Sequence, residues 1–199
     1  MGLFAKLFQR NGRANSVQTE KKQLLAENLI KFPYLEALDG VLTYDKRGIV
    51  CDCCLKRVKL YSEMGIYSEA TGAELLCADC IASGAAAEKF DGTFQSYLDE
   101  DGVSPEDYDA VMRRTPTIPA YQDFEWKICC GKPCVYMRRA TKGDFPAILE
   151  QLKETYSEEE EGVPFDRLSE LGGESDDTSN LMLFRCKECG KIYGVVDLD

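Results

Sequence analysis

The sequence predicts an α+β fold, and three observations predict it. Cysteines recur in pairs, at Cys51/Cys54, Cys77/Cys80 and Cys186/Cys189; short β-branched and aromatic runs flank them; and apolar stripes of helical period separate those runs. The expected architecture is two cysteine-centred β units, ribbon-like or knuckle-like, joined by helices and packed as one compact body. Residues 1–31 read as an N-terminal helical extension and residues 32–199 as the main domain, its first unit spanning about 41–94 and its second about 120–199.

Taken in chain order, Met1 to Arg10 places Leu3, Phe4, Leu7 and Phe8 on one helical face with Lys6 and Arg10 off it. An isolated helix this short is marginal in water, so packing on the rest of the chain is favoured over a peripheral membrane contact through residues 1–10. Lys6 also stands where a myristoylation signal prefers Ser or Thr. After a polar linker over Asn11 to Gln18, Leu24, Leu25, Leu29 and Ile30 recur at helical spacing until Pro33, which predicts a helix over 19–31. Val41 to Cys51 and Val58 to Tyr67 read as strands around the first cysteine pair.

The run ADCIASGAAAEKF after Cys77 is rich in helix formers and sets the second pair at a helix N-terminus, where N–H groups stabilise thiolates. Ser104, Pro105 and Asp107 form a capping signal for a helix that ends near Arg114, before Pro116. Phe145, Ile148, Leu149, Leu152 and Tyr156 make the clearest amphipathic stripe, with Asp144 as its cap, and predict a helix lying on a sheet. Ser157 to Glu161 and Glu174 to Asn180 lack periodicity and read as exposed acidic loops around a turn at Phe165 to Leu171. The closing LMLFRCKECGKIYGVVDLD reads as two strands joined by a cysteine-bearing turn.

Two cysteines separated by two residues can aim both sulfurs at one point, and two such pairs complete a tetrahedron. Zinc accepts four thiolates in that arrangement, which is closed and therefore structural. Cys51, Cys54, Cys77 and Cys80 supply one set, and the 22 residues between its pairs suffice for a returning hairpin. Cys53 is then spare, facing away from the metal. In the second set Cys186 and Cys189 are followed by Gly190, and their partners come from Cys129, Cys130 and Cys134 around Gly131 and Pro133. Cys130 and Cys134 are preferred because Gly131 follows Cys130 as Gly190 follows Cys189; the register using Cys129 stays open. Two zinc ions are expected, and the competing reading is buried thiols packed as small hydrophobes.

Composition narrows the function. With 24 basic and 35 acidic residues the net charge is −11, which disfavours nucleic acid and favours a basic protein partner. The chain has no histidine, so imidazole acid–base chemistry and His-ligated metals are excluded. No run approaches the roughly 20 apolar residues of a membrane span, and no signal core opens the chain, so a cytoplasmic protein is expected, with cysteines reduced. Arg113, Arg114, Arg138 and Arg139 form two basic pairs that a nucleic-acid module could use, but Arg113 and Arg114 suit the last turn of a helix and need no ligand. The run Glu158 to Glu161 lacks the spacing of a calcium loop, and Trp126 and Tyr121 read as aromatic cover beside a metal site.

Several segments resemble the CbrC family of bacterial proteins, whose name is linked to colicin tolerance and whose molecular activity is not established. The resemblance lies in CDCC at Cys51 to Cys54, LLCADCIASGAAAEKFDGTF at Leu75 to Phe94, RTP at Arg114 to Pro116, Trp126 with CCGKPC at Cys129 to Cys134, and FRCKECG at Phe184 to Gly190. It runs from about Phe32 to the C-terminus. Cys129 stands where relatives tend to carry His, and Tyr121 where a Trp is usual; neither departure breaks a four-cysteine set. Two closed cages and no acid–base constellation point to a noncatalytic, zinc-stabilised binding protein, and a tolerance or immunity-like factor is its natural version. The rival reading is an enzyme using Cys53 or Cys129 as a reactive thiol, or a metal site that opens.

Overall fold

A computed structural model describes residues 17–70, 72–173 and 179–198. The amphipathic stretch Met1 to Arg10 lies outside these residues, as do positions 174–178 of the second acidic stretch. Helix α1 covers residues 17–29 and lays Leu24, Leu25 and Leu29 on the core, while Ile30, beyond its end, points to solvent. Strands β1 (Thr43–Val50), β2 (Arg57–Ser62) and β3 (Leu76–Cys77) form an antiparallel sheet in that order. The helix former run after Cys77 is split at Gly84 into α2 (Ala78–Ala82) and α3 (Ala85–Phe90). Helix α4 (Pro105–Arg114) starts where its cap predicts: the Ser104 hydroxyl accepts from the Asp107 N–H at 3.1 Å.

The second half holds a two-stranded ribbon, β4 (Ile128–Cys129) with β5 (Lys132–Pro133), and a three-stranded antiparallel sheet of β6 (Val135–Arg139), β7 (Leu181–Arg185) and β8 (Ile192–Val196). Strand β7 is central and its alternation divides the protein. Met182 and Phe184 face the main core, whereas Leu181 and Leu183 face a second cluster. That second cluster is closed by α5 (Ala147–Leu152), whose Ile148 and Leu152 are buried against the sheet, as the stripe predicts.

The main core is continuous across both cysteine units: Leu76 and Ile81 of the first share it with Trp126 and Phe184 of the second. The Trp126 and Phe184 rings meet edge to face with centroids 5.3 Å apart. The Trp126 indole N–H donates to the Cys134 carbonyl at 2.8 Å, which fixes the ring beneath the ribbon.

Three expectations are corrected. Ser157 to Glu161 is not a loop: Ser157 caps a short helix, α6 (Glu158–Glu161), by accepting from the Glu160 N–H at 3.2 Å. Carboxylates suit the first turn of a helix, and Glu161 is drawn in to sit 2.9 Å from Lys127. Asp144 does not cap α5; it closes a 3-10 turn over Lys142–Asp144, accepting from the Thr141 N–H at 2.6 Å and gripping Arg138 through both oxygens, at 2.5 and 2.6 Å. Tyr121 does not cover a metal site; it is 62% exposed on the wall of a cleft shared with Met64, Tyr136 and Arg139.

The four arginines of the basic pairs all engage carboxylates. Arg113 and Arg114 meet Asp109, Arg138 meets Asp144, and Arg139 meets the fully buried Asp197. Among the described residues no helix is long and apolar enough to cross a membrane.

The hydrogen bonds from Arg138 hold the Asp144 carboxyl well below its usual value, at about 2. A carboxylate depressed in the folded state contributes stability above its unfolded pKa and loses it as pH falls through the folded one. Asp144→Asn is therefore expected to be less stable than the parent at pH 7, with the gap shrinking between about pH 4 and pH 2. Urea unfolding at a series of pH values measures this; a gap that does not change with pH contradicts it.

Candidate metal centres

Each cluster is organised by the same backbone turn. In the first, the Leu55 N–H donates to the Cys51 carbonyl at 2.8 Å and the Cys51 N–H donates to the Lys56 carbonyl at 2.9 Å. In the second, the Gly190 N–H donates to the Cys186 carbonyl at 3.0 Å and the Cys186 N–H to the Lys191 carbonyl at 2.9 Å. The residue after each pair takes a positive φ, +61° at Leu55 and +76° at Gly190. Glycine adopts that conformation readily, whereas leucine there is strained.

The turns aim N–H groups at the first sulfur of each pair. Burial pushes the Cys51 thiol up, but hydrogen bonds from the backbone of Cys54, Cys77 and Cys53 outweigh it and bring the group down to about 7. Cys186 behaves alike: burial opposes, the backbone N–H groups of Cys189 and Glu188 prevail, and the thiol falls to about 7. Cys77 and Cys130 are shifted the other way. Burial carries Cys77 to about 11, and Cys130 is pushed up to about 12, first by its contact with Cys129.

In the first cluster the sulfurs of Cys51, Cys54, Cys77 and Cys80 lie within 4.8 Å of one another, with Cys54 and Cys77 at 3.9 Å. The predicted set is thus gathered whole. Asp52 brings the distant pair home, its carboxylate accepting from the N–H groups of Glu74 at 3.0 Å and Leu75 at 2.7 Å. Lys89 clamps the turn from outside by donating to the carbonyls of Asp52 at 2.8 Å and Cys53 at 2.7 Å. Its only signal in the sequence is a lone cation in an alanine-rich stretch. Cys53 is not turned clear of the cluster: it is half-buried, and after burial and Cys77 it is among the groups that push the Cys80 thiol up.

The second cluster departs from the preferred register. It contains Cys129, Cys130, Cys186 and Cys189, with Cys129 at 3.7 Å from Cys130 and 3.6 Å from Cys189. Cys134 is outside it. The cause is the ribbon: Cys129 pairs with Lys132 across a two-residue turn in which Cys130 and Gly131 both have positive φ, +54° and +69°. That turn presents Cys129 and Cys130 at the tip. Cys134 lies two residues further down the returning strand, roughly 6.6 Å away along it. It is fully buried there beside Trp126, and burial raises its thiol to about 12. Cys129, one of the two thiols a reactive-cysteine enzyme would use, is taken up in the cluster.

The spacing fits a tetrahedral metal. Four sulfurs each about 2.3 Å from a central ion stand about 3.8 Å apart, against the 3.6–3.9 Å of the contacts above. All ten cysteines are free thiols, so no disulfide framework competes.

Fold and site together define a protein of mixed helices and small antiparallel sheets that carries two four-cysteine groups able to hold metal. The chain belongs to an uncharacterised protein family, UPF0167, whose family model matches residues 29–198. UPF0167 proteins of Mycobacterium bovis and Mycobacterium tuberculosis are each 29% identical to it over 157 residues, 75% of this chain and 82% of theirs. A UPF0167 protein of Pseudomonas aeruginosa is 30% identical over 89 residues, 43% of this chain and 50% of its own. No solved structure matches.

Because the Leu55 side chain is 73% exposed, replacing it forfeits little packing. Leu55→Gly is expected to raise the unfolding free energy by about 0.5–1 kcal/mol, the strain relieved less the added backbone entropy of glycine. Denaturant unfolding of parent and variant, both saturated with metal, decides it; destabilisation would show that leucine is not strained there.

Proposed function

We propose that the chain binds one zinc ion in each four-cysteine group and that both ions are structural. The observation that carries this is the sulfur spacing, which suits a closed tetrahedron with no ligand position left for water. Thiolates select zinc or iron over hard cations, and zinc adds no redox chemistry of its own. The protein acts as a noncatalytic binding factor in this reading. Its net charge of −11 supports a basic protein as partner, drawn in by long-range steering, and disfavours nucleic acid. The CbrC resemblance makes a cytoplasmic tolerance or immunity-like factor the natural form of that partner binding.

Native mass spectrometry with metal analysis is the direct test, and two zinc ions per chain are expected. Cys51→Ser and Cys186→Ser should each retain one, whereas Cys134→Ser should retain both. A chain carrying iron, or no metal, overturns the reading, and loss of an ion in Cys134→Ser overturns the ligand set. A pulldown from toxin-challenged cells should recover a basic protein whose retention weakens as salt rises; recovery of none removes the partner and leaves the metal reading standing.

A further inference from the structure

The two clusters share a turn but differ in access. In the first, Cys51, Cys77 and Cys80 are buried and only Cys54 is half-buried. In the second, Cys130 and Cys189 are exposed, Cys129 is half-buried and only Cys186 is buried. A small oxidant must touch sulfur to react, so reaction follows exposure. A polar cleft of 390 Å³, lined by Lys127, Ile128, Thr155, Ser157, Glu160 and Tyr193, adjoins the ribbon strand that carries Cys129.

Within this cluster the sulfurs of Cys129 and Cys189 stand 3.6 Å apart, across two separate segments of chain. Cys130 is nearly as close to Cys129, at 3.7 Å, but a disulfide between sequence neighbours closes a small, strained ring. We propose that Cys129 and Cys189 form a peroxide-sensitive pair whose oxidation releases the zinc of this cluster while the buried cluster keeps its own. This rests on the two-zinc reading above.

The chemistry balances with hydrogen peroxide as oxidant. The exposed Cys189 thiolate attacks one peroxide oxygen; a sulfur–oxygen bond forms, the oxygen–oxygen bond breaks, and hydroxide leaves. The Cys129 thiolate then attacks the sulfenic sulfur of Cys189, forming the disulfide and expelling a second hydroxide. Two electrons pass from the two sulfurs to peroxide, and two protons from solvent complete two waters. The ion keeps only Cys130 and Cys186, too few thiolates for a structural site, and departs as a divalent cation. Thiol reductant and zinc should reverse the change.

The test treats the full-length zinc-loaded chain with hydrogen peroxide in the presence of a chromogenic zinc chelator, and maps disulfides by mass spectrometry without reduction. One of the two ions is expected to be released, in step with a Cys129–Cys189 crosslink, and to be recovered after reduction with added zinc. A variant carrying Cys53→Ser and Cys134→Ser, which leaves all eight clustered sulfurs in place, should behave like the parent. Release of both ions together, release of neither, or a crosslink within the first cluster overturns the proposal. A preparation holding fewer than two zinc ions before peroxide is added fails the metal reading instead, and the mapped crosslink alone then decides the thiol pair.

Discussion

Crowding sulfurs into one small volume is the constraint on which the rest of this structure depends. Backbone N–H groups can favour one thiolate in each cluster, Cys51 or Cys186, but they do so at the expense of its neighbours. Once one sulfur is charged, a second in contact with it is disfavoured, which is why Cys130 is pushed up by Cys129 and its other neighbours despite lying open to solvent. A divalent cation removes that conflict by neutralising all four at once, and metal binding of this kind exchanges for protons. The turns are thus built for a centre of positive charge.

The same constraint explains how the protein is assembled around its clusters. Asp52 and Lys89 contribute no sulfur, yet they hold the first turn from both sides, one drawing in residues 74–75 and the other binding two carbonyls. The first cluster thereby becomes part of the main hydrophobic core, with Cys51, Cys77 and Cys80 packed among Leu76, Ile81 and Phe94. The second cluster forms at the tip of a ribbon, where Trp126 and Cys134 belong to the core and Cys129 and Cys130 to the rim. Depth in the core, more than ligand type, separates the two.

The sequence made the cysteine-centred α+β plan legible because spacing, turn residues and helix caps are local signals. Ser104 caps α4 and the stripe through Ile148 and Leu152 packs on a sheet, each for the reason visible in its residues. The second four-cysteine group was not legible to the same degree. It turns on whether Cys130 shares a positive-φ turn with Gly131, and a non-glycine residue seldom does so, so the glycine alone pointed to the wrong spacing. Asp144 was misassigned because its partner, Arg138, lies on the preceding strand and its role is set by that ion pair, not by the helix after it. The role of Lys89 is not legible locally, since its carbonyl partners lie 36 and 37 positions away.

The acidic run at Ser157 to Glu161 shows how tertiary demand reassigns a segment that composition sends to solvent. A three-stranded sheet leaves two edges whose N–H and carbonyl groups invite further strands. Along β6 that edge is met by residues 34–36, with the Tyr136 N–H donating to the Tyr34 carbonyl and the Glu36 N–H to the Tyr136 carbonyl, both at 2.9 Å. Along β8 no backbone segment among the described residues takes that place at these positions. The Thr155 hydroxyl donates to the Ile192 carbonyl and the Glu161 carboxylate accepts from the Val196 N–H at 2.7 Å, so side chains meet the strand near both of its ends. Glu161 can serve there because Lys127 balances its charge where it is buried. Strand β8 is thus paired with β7 on one side and met on the other by the side chains of Thr155 and of Glu161 from the short acidic helix.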